Sequence, residues 1–351
     1  MRVTKGLFFG VVATGLGLAC LWPFGCDDGP TKPPPVEAND YPVYFCNSVN
    51  STLWIFHPLT LELDSMVVPY EGEMRSVTVS ADGKQLYFTQ RDRVLVLTAD
   101  SLQLVAELPY GAWFGAAVSP DDRLLAIMGQ DFYVLNTTDW SVVFSDTTRL
   151  HDGIFSSDSR TFYAGHVDGG EFYNSVAWVR PLDPDAQLQR YQLPGPPMQI
   201  IPTPSNRKLL AYLLHRFVVY DINLDSVTHE TVLWPGAGYL AMAPEGKLAF
   251  FSNPSTPHGE LGTNELYVFD VRANYVCDTV RIDRFLDSLT WPVWGVGSMV
   301  VTPDGRWLAA LNASMGPRIL FLYEIRQREA VYAHEFGYNH WFGNISVQHM
   351  R

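Results

Sequence analysis

Cysteine is scarce, with four in 351 residues. So few thiols cannot build a disulfide-stapled scaffold or a multi-thiolate zinc module. Basic residues are also short: 24 Lys and Arg stand against 37 Asp and Glu, for a formal net charge of −13. No basic stripe is left to displace phosphate counterions, which excludes nucleic acid as a partner. The nine histidines occur singly, at 57, 151, 166, 215, 229, 258, 334, 340 and 349, and no two form a ligand motif. Copper and zinc sites need several converging imidazoles or thiolates, so the sequence predicts no metal site. It also lacks a G-x-S-x-G nucleophile elbow, a phosphate-binding loop and a haem-attachment motif, and calls for no cofactor. The paired carboxylates Asp183 and Asp185 fall within a hairpin, where they serve as turn formers.

What is present is apolar. Hydrophobic residues make up 47% of the chain and aromatics 13%, enough to bury a large core. The first 40 residues stand apart. Arg2 and Lys5 precede the uncharged stretch "GLFFGVVATGLGLACLWPFGC", which has the charged-then-apolar order of a secretory signal. The following "DDGPTKPPPVEAND" is proline-rich and extended, and offers no apolar residue beyond Val36 for a core contact. The expected division is a signal peptide or membrane anchor over 1–26, a flexible tether over 27–40 and the folded part over 41–351. This pattern resembles bacterial lipoprotein precursors, in which a cysteine directly after the apolar region takes the lipid. Cys20 follows Leu18 and Ala19, whereas Cys26 lies against the polar tether. Both are candidate attachment sites, with Cys20 the better match. The other reading is an uncleaved anchor, since about 20 apolar residues can span a bilayer. Either way the folded part is expected outside the cytoplasm, in the periplasm or at the cell surface, held to the membrane by its N terminus and monomeric.

A repeat organises residues 41–351. "VTVSADGKQLYFT", "AAVSPDDRLLAIM", "GIFSSDSRTFYAG", "QIIPTPSNRKLLAYL", "LAMAPEGKLAFFS" and "MVVTPDGRWLAAL" each place a polar turn between two apolar runs. Their last turn residues, Gly83, Asp122, Ser159, Asn206, Gly246 and Gly305, are separated by 39, 37, 47, 40 and 59 positions. That is the size of a four-stranded propeller blade, roughly 40–50 residues. Proline at 120, 204, 244 and 303 presets φ for the corner, and Gly, Asn, Asp or Ser at the last position tolerates left-handed geometry. Between the turns lie an apolar third strand and an amphipathic fourth, as in "FVVYDINLDSVTHETVL" and "LYVFDVRANYVCDTV". "PVYFCNSVNSTLWIFHPLTLELDSMVVP" supplies three strands of a further unit, and "WFGNISVQH" near the C terminus resembles the approach to a first strand at "WFGAAVSPD". The expectation is an all-β, seven-bladed β-propeller of four-stranded antiparallel blades, with blade one closed by the C-terminal strand.

The "SPDD", "TPDG" and "SADG" turns, each followed by "LYF" or "LAA" and then a strand ending "VFD" or "VYD", resemble the extracytoplasmic YVTN-type and WD40-like propellers of bacteria. The Trp-Asp dipeptide of true WD repeats is absent, so their partners do not carry over. On one face the loops entering each first strand are rich in aromatics. The candidate ligand-binding residues there are Trp113, Tyr239, Trp294 and Trp341 as stacking surfaces, with His166, Asp168, His258 and His340 at the rim. Two readings stay open: a shallow mouth that binds an envelope protein or a small ligand, or tryptophans that plug the blade tops. A non-catalytic binding or scaffold protein is the first functional expectation; a lactonase-like hydrolase or metal-dependent propeller enzyme is the alternative. In the folded part Cys46 and Cys277 fall on blades one and six, too far apart for the roughly 7 Å reach of a disulfide, so two free, buried thiols are expected.

Overall fold

The computed structural model describes residues 39–166, 174–213, 216–233, 239–253, 265–281, 296–312, 319–336 and 346–347. These form seven four-stranded antiparallel sheets. Six of them are continuous in sequence. In the seventh, the two-residue strand Ser346–Val347 pairs with Val43–Asn47 through Tyr44↔Ser346 and Val43↔Val347, closing blade one as expected. The added strand covers the inner edge of Val43–Asn47 and leaves every blade with four strands. Among the described residues no helix is long and apolar enough to cross a membrane. Most of the expected signal and tether, including Cys20 and Cys26, lies outside the described residues.

Burial follows strand position. Inner strands such as Leu124–Met128 are buried at every residue, because both sheet faces meet a neighbouring blade. Outer strands such as Ser226–Val232 and Glu329–Glu335 alternate between exposed and half-buried positions, with one face towards solvent. The core is therefore seven seams, one between each pair of adjacent blades. In two of them a ring on strand three stacks on a ring on strand two of the next blade: Phe132 on Phe162 at 5.0 Å and Phe217 on Phe251 at 4.4 Å. Each of these phenylalanines is fully buried, worth about 1.5–3 kcal/mol apiece.

The turns do more than reverse the chain. A buried hydroxyl opens each of five of them, and blade six has Ala243 instead. Ser119 shows the pattern: its Oγ donates to Asp121 at 2.6 Å and accepts from the Leu124 amide at 2.9 Å, and Ser80, Ser156 and Thr302 repeat it. The last turn residue reaches the preceding blade. Asp122 accepts the amides of Ala81 and Asp82, and Ser159 Oγ accepts the amide of Asp121. Gly246 lies so close to the blade-five turn that a Cβ would sit 2.4 Å from Pro204 Cδ, and its φ is +68°. The small or polar residue at this position thus meets both a local conformational need and a contact between blades.

Cys46 is a buried thiol outside any disulfide, on the second strand of blade one, as expected. The expectation fails for Cys277. It is only half-buried on the outer strand of blade six, and it is disulfide-bonded. An outermost strand has one face towards solvent, so its thiol remains within reach of a partner from outside the blade, which strand spacing within the ring cannot exclude.

Candidate functional site

The face at which each first strand begins and each second strand ends is the predicted mouth. Trp113 precedes the first strand of blade three, Gly115–Val118, and Tyr239 that of blade six, Leu240–Met242. His166 ends the second strand of blade four, Phe162–His166. Chain direction therefore brings these three to one face. Asp168, His258, Trp294, His340 and Trp341 lie outside the described residues, as do most of the long loops that carry them.

Trp113 is half-buried and belongs to none of the inter-blade cores, although its neighbour Phe114 packs into the seam between blades three and four. Two guanidiniums hold it instead. Arg75 lies 5.0 Å and Arg91 4.8 Å from its ring centroid, attracted by the negative ring face. The loop is pinned by Gly111, where a Cβ would fall 2.6 Å from the Arg91 carbonyl oxygen. Arg75 also faces Glu73 at 3.7 Å, while its Nε is buried and finds no hydrogen-bond partner. Tyr239 behaves differently. Its amide donates to Ser252 Oγ at 3.0 Å and its ring packs against the seam between blades six and seven, so it acts as a plug.

His166 is 7% exposed and stands opposite Leu150, beside His151 on the innermost strand of blade four, Leu150–Phe155. That strand is bulged between His151 and Ile154. Gly153 is required within the bulge, since a Cβ there would meet the Phe162 ring at 2.1 Å and Met128 Sδ at 2.7 Å. Asp152 is driven to a φ of +53°. Burial, and then the proximity of His166, lowers the His151 imidazole to about 4, so it is neutral at ordinary pH. Burial raises the Asp152 carboxyl to about 7. The innermost strand of blade four thus holds a carboxyl that changes charge near neutrality beside a neutral imidazole. Asp152 gives no signal in the sequence, where "HDGIF" reads as a loop entering a strand; the bulge that buries it depends on Phe162 and Met128. Among the described residues no three His, Cys, Asp or Glu side chains converge as a metal-ligand group.

No protein-family model and no curated protein matches the sequence. Solved structures do resemble the fold. The β-propeller domain of Cps50 (Swd1) from Myceliophteria thermophila superposes with a TM-score of 0.61 at 14% identity, covering 79% of this chain and 90% of that one. Dihydro-heme d1 dehydrogenase NirN in complex with DHE gives 0.58 at 15% identity, covering 87% and 74%. Hydrazine synthase from Kuenenia stuttgartiensis gives 0.57 at 16% identity, covering 70% and 75%. Likeness at such identities is a likeness of fold, and a propeller hosts unrelated activities. The chain is a seven-bladed β-propeller.

Proposed function

We propose that this propeller is a non-catalytic binding protein of the bacterial cell envelope, held to the membrane through Cys20 or Cys26 and recognising a partner protein through the mouth around Trp113. One observation carries the reading: Trp113 stands outside every inter-blade core, yet is held in place by Arg75 and Arg91. Tryptophan and arginine are the residue types enriched at binding hot spots, and a pre-ordered pair loses little side-chain entropy on docking. Two guanidiniums beside one indole suit a partner surface that presents carboxylates. The turn grammar that resembles YVTN-type repeats, and the charged-then-apolar N terminus, support the envelope address.

A photo-crosslinking residue at position 113, compared in cells with one at the exposed Leu224 on the opposite face, tests the proposal. The expected result is a discrete adduct with one envelope protein from position 113 alone. Equal labelling from both positions, or none from 113, overturns it. The observation favouring the hydrolase alternative is Asp152, because a carboxyl that titrates near neutrality suits general acid–base work.

A further inference from the structure

On the face opposite the mouth, the turns of blades four and five frame a groove of about 550 Å³. The repeat explains why it opens there. Four residues past the last turn position, the second strand of each complete blade pairs with a third-strand residue that points into the next seam. In five of the six complete blades that residue is Val96, Val134, Val219, Val268 or Leu322. In blade four it is Trp178, opposite Tyr163. An indole thus stands where the fold otherwise places an aliphatic group, and the groove lies over it.

The groove so formed is aromatic within and charged at its rim. Trp178 stacks on Tyr191 with centroids 5.6 Å apart and planes 17° apart, and both remain half-exposed. Exposed Arg180 lies 5.9 Å from the indole centroid, a side chain long enough to swing aside or close over an occupant. The rim carries Asp158 and Asp183 against Arg160 and Arg180, two charges of each sign. Two polar atoms of the lining residues, Trp178 Nε1 and Asn206 Oδ1, are shielded from solvent and have no hydrogen-bond partner. One is a donor and the other an acceptor. Native proteins leave few such atoms unpaired, and two in one groove require an explanation.

We propose that this groove binds a neutral saccharide. The volume is that of a small-ligand site, for which roughly 300–1,000 Å³ is usual. Balanced rim charge selects against an ion. Aromatic surface calls for a ligand with an apolar face, while the carboxylates, guanidiniums and orphaned atoms call for a dense set of groups that both donate and accept. A pyranose ring has both: C–H bonds on its faces and hydroxyls around its edge. Such hydroxyls both accept and donate, which is what Trp178 Nε1 and Asn206 Oδ1 respectively require.

Trp178→Val is the decisive variant, because it installs the residue that four other blades carry and should fold. Binding of glucose, galactose, N-acetylglucosamine and their β-1,4-linked disaccharides is measured by calorimetry and saturation-transfer NMR. At least one sugar should bind the native protein, with at least a tenfold loss in Trp178→Val, a smaller loss in Asp183→Asn and none in Trp113→Ala at the mouth. Tighter binding of a disaccharide than of its monomer assigns the groove to a polymer rather than a free sugar, and both results support the proposal. No binding by any member of the panel, or binding unchanged in Trp178→Val, overturns it.

Discussion

Asp152→Asn should stabilise this protein at and above neutral pH and leave it unchanged in acid. Burial raises the Asp152 carboxyl from 3.8 to about 7. The folded state thus holds a proton that the unfolded chain has released, and the carboxylate costs stability. That cost is absent below about pH 4, grows as pH rises to about 7, and is constant beyond. Three units at 1.36 kcal/mol each set an upper limit of about 4 kcal/mol. The side chain keeps some contact with solvent, which hydrates the anion in part, so about 1–2 kcal/mol is expected. For a chain of this size that is a Tm gain of roughly 1.5–3 °C at pH 8. Asn is isosteric, carries no charge and tolerates the φ of +53°, so no backbone penalty offsets the gain. Thermal melts at pH 4 and pH 8 followed by circular dichroism provide the measurement, with Asp152→Ala as the control that loses the left-handed tolerance. An equal gain at both pH values, or a lower Tm at pH 8, would refute the argument that the carboxylate is a buried, unfavourable charge. If Asp152→Asn instead abolished an activity found in the native protein, the hydrolase reading would displace the binding one.

Gly246→Ala should cost about 1–3 kcal/mol, because it joins a left-handed φ of +68° to a Cβ 2.4 Å from Pro204; a denaturant midpoint indistinguishable from wild type would show that the two turns slide apart freely. Removal of residues 346–351 should expose the Val43–Asn47 edge and make the mass measured by light scattering rise with protein concentration, whereas a truncated protein with the same concentration-independent mass per chain count as the native one would argue against closure by the C-terminal strand. In cells fed a labelled fatty acid, one of Cys20→Ser and Cys26→Ser should abolish incorporation and release the protein from membranes; retention of label by the double variant would sink the lipid anchor. Cys46 should react with a maleimide only after unfolding, and prompt labelling of the native protein would contradict its burial at the seam between blades one and two.

Most of the architecture is legible in the sequence because a propeller is built locally. Each hairpin is set by a turn of four residues, each blade is closed within about 40–50 residues, and the period exposes the count. Even the shared blade could be read, since three strands at one end lack a first strand that the other end supplies. Less of the site was legible. Trp113 reads as an aromatic on the entering loop, but the two guanidiniums beside it come from different loops of blade two, and Tyr239, of the same residue class and loop type, is a plug. Trp178 in "AWVRP" looks like any apolar third-strand residue until the register sets it beside the valines of the other blades. Asp152 looks like a loop residue until Phe162 and Met128 leave no room for a side chain at Gly153. Cys277 lies on an outermost strand, where one face meets solvent, so membership of a strand does not by itself bury it.

The sequence alone thus determined the blade, its number and its closure, because turn chemistry and two-residue alternation act between near neighbours in the chain. Only the tertiary structure decided which tryptophan stands outside the seams, which third strand sets an indole among valines and which carboxyl is shielded. Those properties depend on what the adjacent blade places against a residue, and that neighbour is some 40 positions away in sequence and absent from any local pattern.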